Sequence, residues 1–179
     1  MGREDPNLGD VVVGRDAIKH KVAELGRRLT EDYGGRPVLL VGILKGAWMF
    51  LADLVREIQA PVEIDFMAVS SYGSTTRTSG VVRIIKDLEQ DITGREIVLV
   101  EDILDSGLTL SYLRKTLLAR GPASLEICTL LAREEQPDLE EMVRYTGFRI
   151  PAGWVVGYGL DVDEQYRNLP DIVWYTGPK

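Results

Sequence analysis

Residue types that build many catalytic and metal sites are almost absent from this chain. Its 179 residues include one cysteine, Cys128, and one histidine, His20. A single cysteine excludes an intramolecular disulfide and a cysteine-rich zinc site. The histidine sits in a charged helical stretch that favours a solvated position, which argues against Ser-His-Asp and Cys-His enzymes and against a histidine-ligated zinc enzyme. Carboxylates, hydroxyls, cations and backbone groups therefore have to supply the chemistry.

Long apolar runs and an excess of basic residues are absent as well. No segment approaches the roughly 18 apolar residues that a membrane-spanning helix needs. The first ten residues, MGREDPNLGD, lack the apolar centre of a signal peptide, so we expect a cytoplasmic protein with no membrane partner. The 21 Lys and Arg face 28 Asp and Glu, and the net charge of −7 disfavours a nucleic-acid partner. Phosphate binding would have to be local, through backbone N–H groups, a few cations or a metal ion.

The order of apolar segments predicts an α/β fold. Residues with helical spacing predict a helix from Gly14 to Tyr33, while Val38–Ile43 and Ile97–Val100 read as strands buried on both faces. Further strands are predicted at Val62–Ser70, Val81–Ile85 and Leu125–Leu131, and further helices around Trp48–Ile58 and Thr109–Arg120. This alternation predicts a mostly parallel sheet flanked by helices.

The length and the last part of the chain suggest the domain organisation. A chain of 179 residues suits one domain, and 45% hydrophobic with 27% charged residues is the balance of a globular protein. The final segment, from about 132 to 179, holds short strands, turns and several aromatic residues. We therefore predict a single domain, 1–179, with a small C-terminal hood beside the end of the sheet.

An acidic turn after the predicted strand Ile97–Val100 lies where open parallel sheets bind ligands, outside the carboxyl ends of the strands. Glu101, Asp102 and Asp105 place three carboxylates within five residues. Their mutual repulsion favours a partner such as a divalent cation, sugar hydroxyls or a developing positive charge. Ordinary helix capping by Asp105 or Ser106 is the alternative, but it leaves Glu101 and Asp102 unexplained.

The segment Asp105–Thr109 opens a predicted helix. Its backbone N–H groups, its hydroxyls and the helix dipole favour an anion. Gly107 allows the backbone to approach that anion closely. The dinucleotide-binding GxGxxG pattern and the Walker A sequence are both absent from the chain.

The stretch from Val98 to Thr109 resembles the diphosphate-sugar signature of the type I phosphoribosyltransferases: a hydrophobic strand, two acidic residues, two hydrophobic residues and then Asp-Ser/Thr-Gly-x-Thr. The resemblance implies that Glu101 and Asp102 bind the ribose hydroxyls of phosphoribosyl diphosphate and that the loop Asp105–Thr109 holds the 5′-phosphate. Asp105 is then the expected general base and Mg²⁺ the expected cofactor. The implied substrate-binding residues are Glu101, Asp102, Ile103, Leu104, Asp105, Ser106, Gly107, Leu108 and Thr109.

Two further loops resemble the hypoxanthine-guanine branch of that family. Leu44-Lys45-Gly46 is similar to its pyrophosphate loop, which carries a cis peptide before the lysine, and implies that Lys45 and Gly46 bind substrate. Ser71-Tyr72-Gly73 is similar to the start of a loop that closes over the reaction, and implies that Ser71 and Tyr72 bind substrate. Without the resemblance, the first segment reads as an ordinary turn and the second as a solvated loop.

The C-terminal segment Trp154–Asp161 and the residues that follow it resemble the purine-binding hood of the same branch. The resemblance implies that Trp154 stacks on the purine and that Val155 contacts the base through its backbone, next to Gly153. Without it, Trp154 reads as a core residue and Asp161 as part of an Asx-turn.

The hood also implies metal and pyrophosphate contacts. Asp161 is expected near the magnesium and the base, so the implied metal residues are Asp161, Glu101 and Asp102. Arg167 is expected to face pyrophosphate.

Arg133 departs from the branch, which usually carries a lysine here that donates to the purine 6-oxo group. Arginine also donates, but its fork is planar and wider. We predict that Arg133 still reads the 6-oxo group, so that hypoxanthine and guanine are accepted and adenine is excluded. The alternative is that Arg133 points to solvent or pairs with Glu134 or Glu135.

The resemblance implies a purine salvage reaction, the transfer of phosphoribosyl to N9 of hypoxanthine or guanine to give IMP or GMP plus pyrophosphate, in a homodimer or homotetramer. One rival is an RNA-binding regulator on the same fold. It would need a basic face, and such regulators lack an aspartate at the position of Asp105. The other rival is uracil or adenine transfer, which the hood residues from Trp154 to Asp161 disfavour.

Overall fold

The computed structural model describes residues 5–71, 82–134 and 142–178. In these segments the strands are β1 (Leu8–Val13), β2 (Val38–Leu44), β3 (Val62–Ser71), β4 (Val82–Lys86), β5 (Glu96–Leu104), β6 (Ser124–Arg133), β7 (Tyr145–Ile150), β8 (Val155–Val156) and β9 (Ile172–Tyr175). The helices are α1 (Arg15–Tyr33), α2 (Trp48–Glu57) and α3 (Leu108–Leu118). No helix among the described residues is both long enough and apolar enough to cross a membrane.

The central sheet has six strands in the order β4-β3-β2-β5-β6-β7. Neighbouring strands are parallel except for β3 and β4, which are antiparallel at one edge. The predicted α/β class with a mostly parallel sheet is therefore confirmed. The predicted strand Val81–Ile85 corresponds to β4.

Two apolar layers hold helices against the two faces of this sheet. Val98 and Val100 of β5 belong to one cluster together with α1 and α2. Ile97 and Leu99, which alternate with them, belong to the opposite cluster together with α3. Successive side chains of a strand point to opposite faces, so a strand that is apolar at every position is one that is covered on both sides.

Strand β5 continues past the predicted end at Val100. Its parallel pairing with β6 runs on through Glu101 opposite Thr129 to Leu104 opposite Ala132. The prediction that a polar turn begins at Glu101 is therefore wrong, because the backbone of this segment is still hydrogen-bonded in the sheet. The acidic pair Glu101 and Asp102 stands on the strand itself, and the turn begins at Asp105.

A second, antiparallel sheet in the order β1-β9-β8 forms the core of the hood. Strand β1, which no sequence pattern predicted, pairs with β9 from Leu8 opposite Tyr175 to Val13 opposite Ile172. The N-terminal segment thus belongs to the same sheet as the C-terminal strands. Strand β7 lies within the segment predicted as hood but joins the central sheet beside β6.

Candidate active site

A cleft of about 310 Å³ opens at the carboxyl ends of β2 and β5. These two strands are parallel neighbours, so the loops that follow them meet at one edge of the sheet. The cleft is lined by residues of β2, β3 and β5, of the loops that follow β2 and β5, and of α3: Ile43, Leu44, Gly46, Val69, Glu101, Asp102, Ile103, Leu104, Asp105, Ser106, Gly107, Thr109 and Leu110. The cleft therefore brings together Gly46 and eight of the nine residues predicted from Glu101 to Thr109. Leu108, the ninth, does not line it and is 53% exposed.

Glu101 and Asp102 form a half-buried acidic pair. Burial raises the pKa of Glu101 well above its usual range, and the neighbouring charge of Asp102 raises it further. Burial also raises the pKa of Asp102, although Arg167 lies close enough to oppose that effect. Two carboxylates held side by side with restricted access to water are stabilised when a cation or hydroxyl donors bind. The pair therefore suits both a hard metal ion and the hydroxyls of a sugar.

Gly46 lies against Asp102, because a side-chain carbon at Gly46 would overlap the Asp102 carboxylate. The peptide bond between Leu44 and Lys45, just before Gly46 in the same loop, is cis, as the resemblance implied. Gly159 of the hood also packs against Gly46, since a side-chain carbon at Gly159 would overlap the carbonyl oxygen of Gly46. Asp102 of β5 and Gly159 of the hood thus both pack against Gly46 in the loop after β2. Only glycine at position 46 leaves room for the acidic pair.

The loop Asp105–Thr109 ends at the N-terminus of α3. Gly107 occupies the N-cap position with φ of 69°, a left-handed conformation that side-chain-bearing residues rarely adopt. The first turn of α3 carries no acidic residue. Its first N–H groups have no partner within the helix and carry the positive end of its dipole, so they are suited to a phosphate.

Arg133 connects this loop to the hood. Its Nε donates to Oδ1 of Asp105 at 3.2 Å, Nη1 donates to the carbonyl of Pro151 at 2.9 Å and Nη2 to the carbonyl of Gly153 at 2.6 Å. The Arg133 side chain is only 13% exposed, so the alternative in which it points to solvent is wrong. Its carboxylate partner is Asp105. The N-cap position of α3 is occupied by Gly107, so helix capping does not account for Asp105 or Ser106. Glu135 lies outside the described residues.

The hood residues predicted to hold the base lie next to these carbonyls. Trp154 follows Gly153 directly and is 51% exposed, so the interpretation of Trp154 as a buried core residue is wrong. Val155 is buried and pairs with Trp174 in the hood sheet, so its side chain belongs to the core.

Lys45, Asp161 and Arg167 are joined in one network of ion pairs. Arg167 Nη2 lies 2.9 Å from Oδ1 of Asp161, and Arg167 Nη1 donates to the carbonyl of Gly159 at 2.7 Å. Glu164 connects Arg167 to Lys45, with Lys45 Nζ 2.8 Å from Oε1 of Glu164. Glu164 was not among the residues predicted from the sequence. Its spacing of three residues from Arg167 was the available signal for a local ion pair.

The implied metal residues are not gathered into one preformed cage. Within the described parts of the chain, no three acidic, histidine or cysteine side chains cluster closely enough to hold a metal ion. Asp161 accepts from Arg167 and from the backbone N–H of Glu164 instead of joining the acidic pair. Ser71 ends β3, and Tyr72 lies outside the described residues.

Comparison with known proteins identifies the family of this site. The family model described as the phosphoribosyl transferase domain matches residues 14–163. The chain belongs to the phosphoribosyltransferase family. Within that family, it is 48% identical over 172 residues to the hypoxanthine-guanine phosphoribosyltransferase of Mycobacterium tuberculosis, which covers 93% of this chain and 85% of that protein.

Two further proteins agree with this placement among the phosphoribosyltransferases. The hypoxanthine phosphoribosyltransferase of Salmonella typhimurium is 49% identical over 165 residues, covering 91% of this chain and 93% of that protein. A crystal structure of the hypoxanthine phosphoribosyltransferase of Staphylococcus aureus superposes with a TM-score of 0.90 at 42% identity, covering 97% of this chain and 96% of that one. The chain is therefore a phosphoribosyltransferase similar to the hypoxanthine-guanine branch over nearly its whole length.

Proposed function

We propose that this phosphoribosyltransferase joins N9 of hypoxanthine or guanine to C1′ of the ribose of phosphoribosyl diphosphate. The products are IMP or GMP and pyrophosphate. The main support for the proposal is that Arg133 contacts two parts of the site at once. Its guanidinium donates to Asp105 of the phosphate loop and to the carbonyl of Gly153 beside Trp154. A sugar-phosphate site and a base site one side chain apart suit a reaction that joins a base to a sugar phosphate.

The sugar phosphate and the base have separate binding elements. The loop Asp105–Thr109 and the N-terminus of α3 would hold the 5′-phosphate, and Glu101 with Asp102 would accept hydrogen bonds from the ribose hydroxyls. Trp154 would stack on the purine, as its half-exposed ring allows. This placement brings N9 and C1′ together, which is the larger part of catalysis for two bound reactants.

The proposed step breaks one bond and forms one bond at C1′. The C1′–oxygen bond breaks, its electron pair leaves on pyrophosphate, and the lone pair of N9 forms the new bond. The N7 proton of the purine passes to Asp105, which acts as general base. The acidic pair Glu101 and Asp102 stabilises the positive charge that develops on the ribose.

We propose Mg²⁺ as the cofactor. Magnesium keeps several waters and binds through one or two carboxylates plus substrate phosphates, which fits a half-buried acidic pair at an open cleft better than a closed protein cage. Glu101 and Asp102 would hold it, with Asp161 as a further candidate. When bound, the ion would neutralise charge on the leaving pyrophosphate.

The test is a base panel. The protein is incubated with Mg²⁺, phosphoribosyl diphosphate and, separately, hypoxanthine, guanine, xanthine, adenine and uracil, and both nucleotide and pyrophosphate are measured. The proposal predicts IMP and GMP with stoichiometric pyrophosphate and little product from adenine or uracil. Product from adenine or uracil alone would overturn it, and leaving out Mg²⁺ tests the cofactor.

The proposed assembly is a homodimer or homotetramer in the cytoplasm. It rests on the similarity to the hypoxanthine-guanine branch. Light scattering of the purified protein at micromolar concentration distinguishes a 20.0 kDa monomer from either assembly.

A further inference from the structure

Glu164 bridges two cations that belong to different parts of the site. Oε1 lies 2.8 Å from Nζ of Lys45, in the loop after β2, and Oε2 lies 3.0 Å from Nη2 of Arg167, in the hood. Each carboxylate oxygen therefore contacts one cation. Hydrogen bonds from Lys45 and Arg167 lower the pKa of Glu164, so this carboxylate is ionised at neutral pH.

The local backbone holds the Glu164 carboxylate in this place. Glu164 has φ of 62° and follows Asp163 with φ of 50°, so the chain makes a tight left-handed turn here. The turn is closed by hydrogen bonds between Val162 and Gln165 in both directions. The backbone N–H of Glu164 donates to Oδ2 of Asp161 at 2.8 Å. The side chain is 61% exposed, so only the turn and the two cations restrain it.

The resemblance to the hypoxanthine-guanine branch assigns Lys45 and Arg167 to the pyrophosphate of the proposed reaction, and the role inferred below for Glu164 rests on that assignment and on the proposed function. A diphosphate that reaches both cations meets a carboxylate already paired with each of them. Ion pairs this exposed contribute roughly 0–1 kcal/mol each, so a multivalent anion can displace the carboxylate at modest cost. The diphosphate then binds the two cations only as it displaces the Glu164 carboxylate from them.

We infer that Glu164 is an internal anion that occupies the pyrophosphate subsite when no diphosphate is bound and thereby sets the affinity of the site for diphosphates. The contact weakens the binding of phosphoribosyl diphosphate, and it also favours the departure of the product pyrophosphate. A ligand that has to compete for its cations binds more weakly by the free energy of the contacts it replaces.

Asp163 provides the matched control. It precedes Glu164 in the same left-handed turn, and its replacement by Asn removes the same charge as the replacement of Glu164 by Gln. Within the described residues, Asp163 takes part in no ion pair, whereas Glu164 takes part in two. If the loss of one negative charge is what matters, Glu164→Gln and Asp163→Asn should change the affinity for pyrophosphate equally. If the Glu164 carboxylate competes with pyrophosphate for the two cations, only Glu164→Gln should raise that affinity.

The experiment measures the Kd of inorganic pyrophosphate, with Mg²⁺ present, by titration calorimetry on the full chain and on the variants Glu164→Gln, Glu164→Ala and Asp163→Asn. We expect the two Glu164 variants to bind pyrophosphate roughly three- to tenfold more tightly than the unmodified protein, with a matching fall in the KM for phosphoribosyl diphosphate. Asp163→Asn should change the Kd less than twofold. Unchanged or weaker binding in both Glu164 variants overturns the inference, as does equal tightening in Asp163→Asn.

The base panel separates this inference from the proposed function. If the unmodified protein binds pyrophosphate but makes no nucleotide from any oxopurine, the proposed reaction fails while the comparison of variants still decides the role of Glu164. If it does not bind pyrophosphate at all, Lys45 and Arg167 do not form a diphosphate subsite and the inference about Glu164 falls.

Discussion

The guanidinium of Arg133 lies 3.2 Å from the carboxylate of Asp105, measured from Nε to Oδ1. Its other two nitrogens donate to the carbonyls of Pro151 and Gly153. A lysine has one nitrogen and cannot span three acceptors in a fixed plane. The arginine therefore ties the proposed general base to the turn before Trp154, and three of its five N–H donors are used in doing so.

Replacing Asp105 with Asn should lower kcat by roughly 10²–10⁴-fold, the usual contribution of a general base. Substrate binding and the fold should change little, because the Asp105 side chain is 70% exposed and an amide oxygen still accepts a hydrogen bond from Arg133. Steady-state kinetics with hypoxanthine and a thermal melt measure both effects. An unchanged kcat would remove Asp105 from the chemistry.

Replacing Arg133 tests how the 6-oxo group is recognised. Arg133→Met should weaken the rejection of adenine and lower kcat/KM for hypoxanthine and guanine, because two donors facing each other in a closed site cost roughly 1–3 kcal/mol, or tenfold to hundredfold in discrimination. Arg133→Lys should keep adenine excluded while changing the ratio of hypoxanthine to guanine. Competition kinetics with the three bases measure these ratios.

A normal kcat/KM for hypoxanthine in Arg133→Met would show that another group reads the oxygen. The two N–H donors of Arg133 that make no contact with Asp105 or the hood carbonyls are those available to the base. Arg133→Lys serves as the internal control, since it keeps a positive charge but not the planar fork.

The sequence predicted β2 to β6 of the central sheet because local patterns determine these strands, whereas β7 lies in the segment that was predicted as hood. Strands β2 and β5 are apolar at successive positions and lie between helices, and period and length alone indicate such elements. The acidic loop was found for a similar reason, since Glu101 to Thr109 is contiguous in the chain and its function depends on the order of its residues.

Other parts of the structure depend on contacts between distant residues, which no local pattern carries. Strand β1 is a short segment whose partner, β9, lies about 160 residues later, so its pairing with β9, from Leu8 opposite Tyr175 to Val13 opposite Ile172, makes it a strand. The contacts of Glu164 with Lys45 and of Arg133 with Gly153 likewise join elements far apart in sequence. The resemblance located the residues of the hood but not the ion pairs between them.

Replacing Gly46 with Ala should lower the activity of the cleft towards phosphoribosyl diphosphate without unfolding the protein. The new methyl group would overlap the Asp102 carboxylate, which must then turn away from the sugar site. A displacement of about 1 Å at a catalytic centre can cost roughly 10²-fold, so we expect kcat/KM for phosphoribosyl diphosphate to fall by about 10–10²-fold. Gly14→Ala is the matched control, since Gly14 has φ of −75° and open space around it. Equal activity in the two variants would contradict the proposed importance of the Gly46–Asp102 contact.

The stability of the protein should fall at high pH in a way that depends on Tyr33. Burial raises the pKa of Tyr33 to about 12, and its ring is only 4% exposed at the end of α1. An unfolded tyrosine titrates near pH 10, so the contribution of Tyr33 to stability is complete below about pH 10 and is lost as the pH rises toward 12. The loss from this residue should be at most about 1.4 kcal/mol per pH unit.

Urea unfolding at intervals from pH 8 to pH 11 measures this loss of stability. The variant Tyr33→Phe, which cannot ionise, should show a shallower decline. Parallel curves for the two proteins would mean that the ionisation of Tyr33 is not coupled to folding.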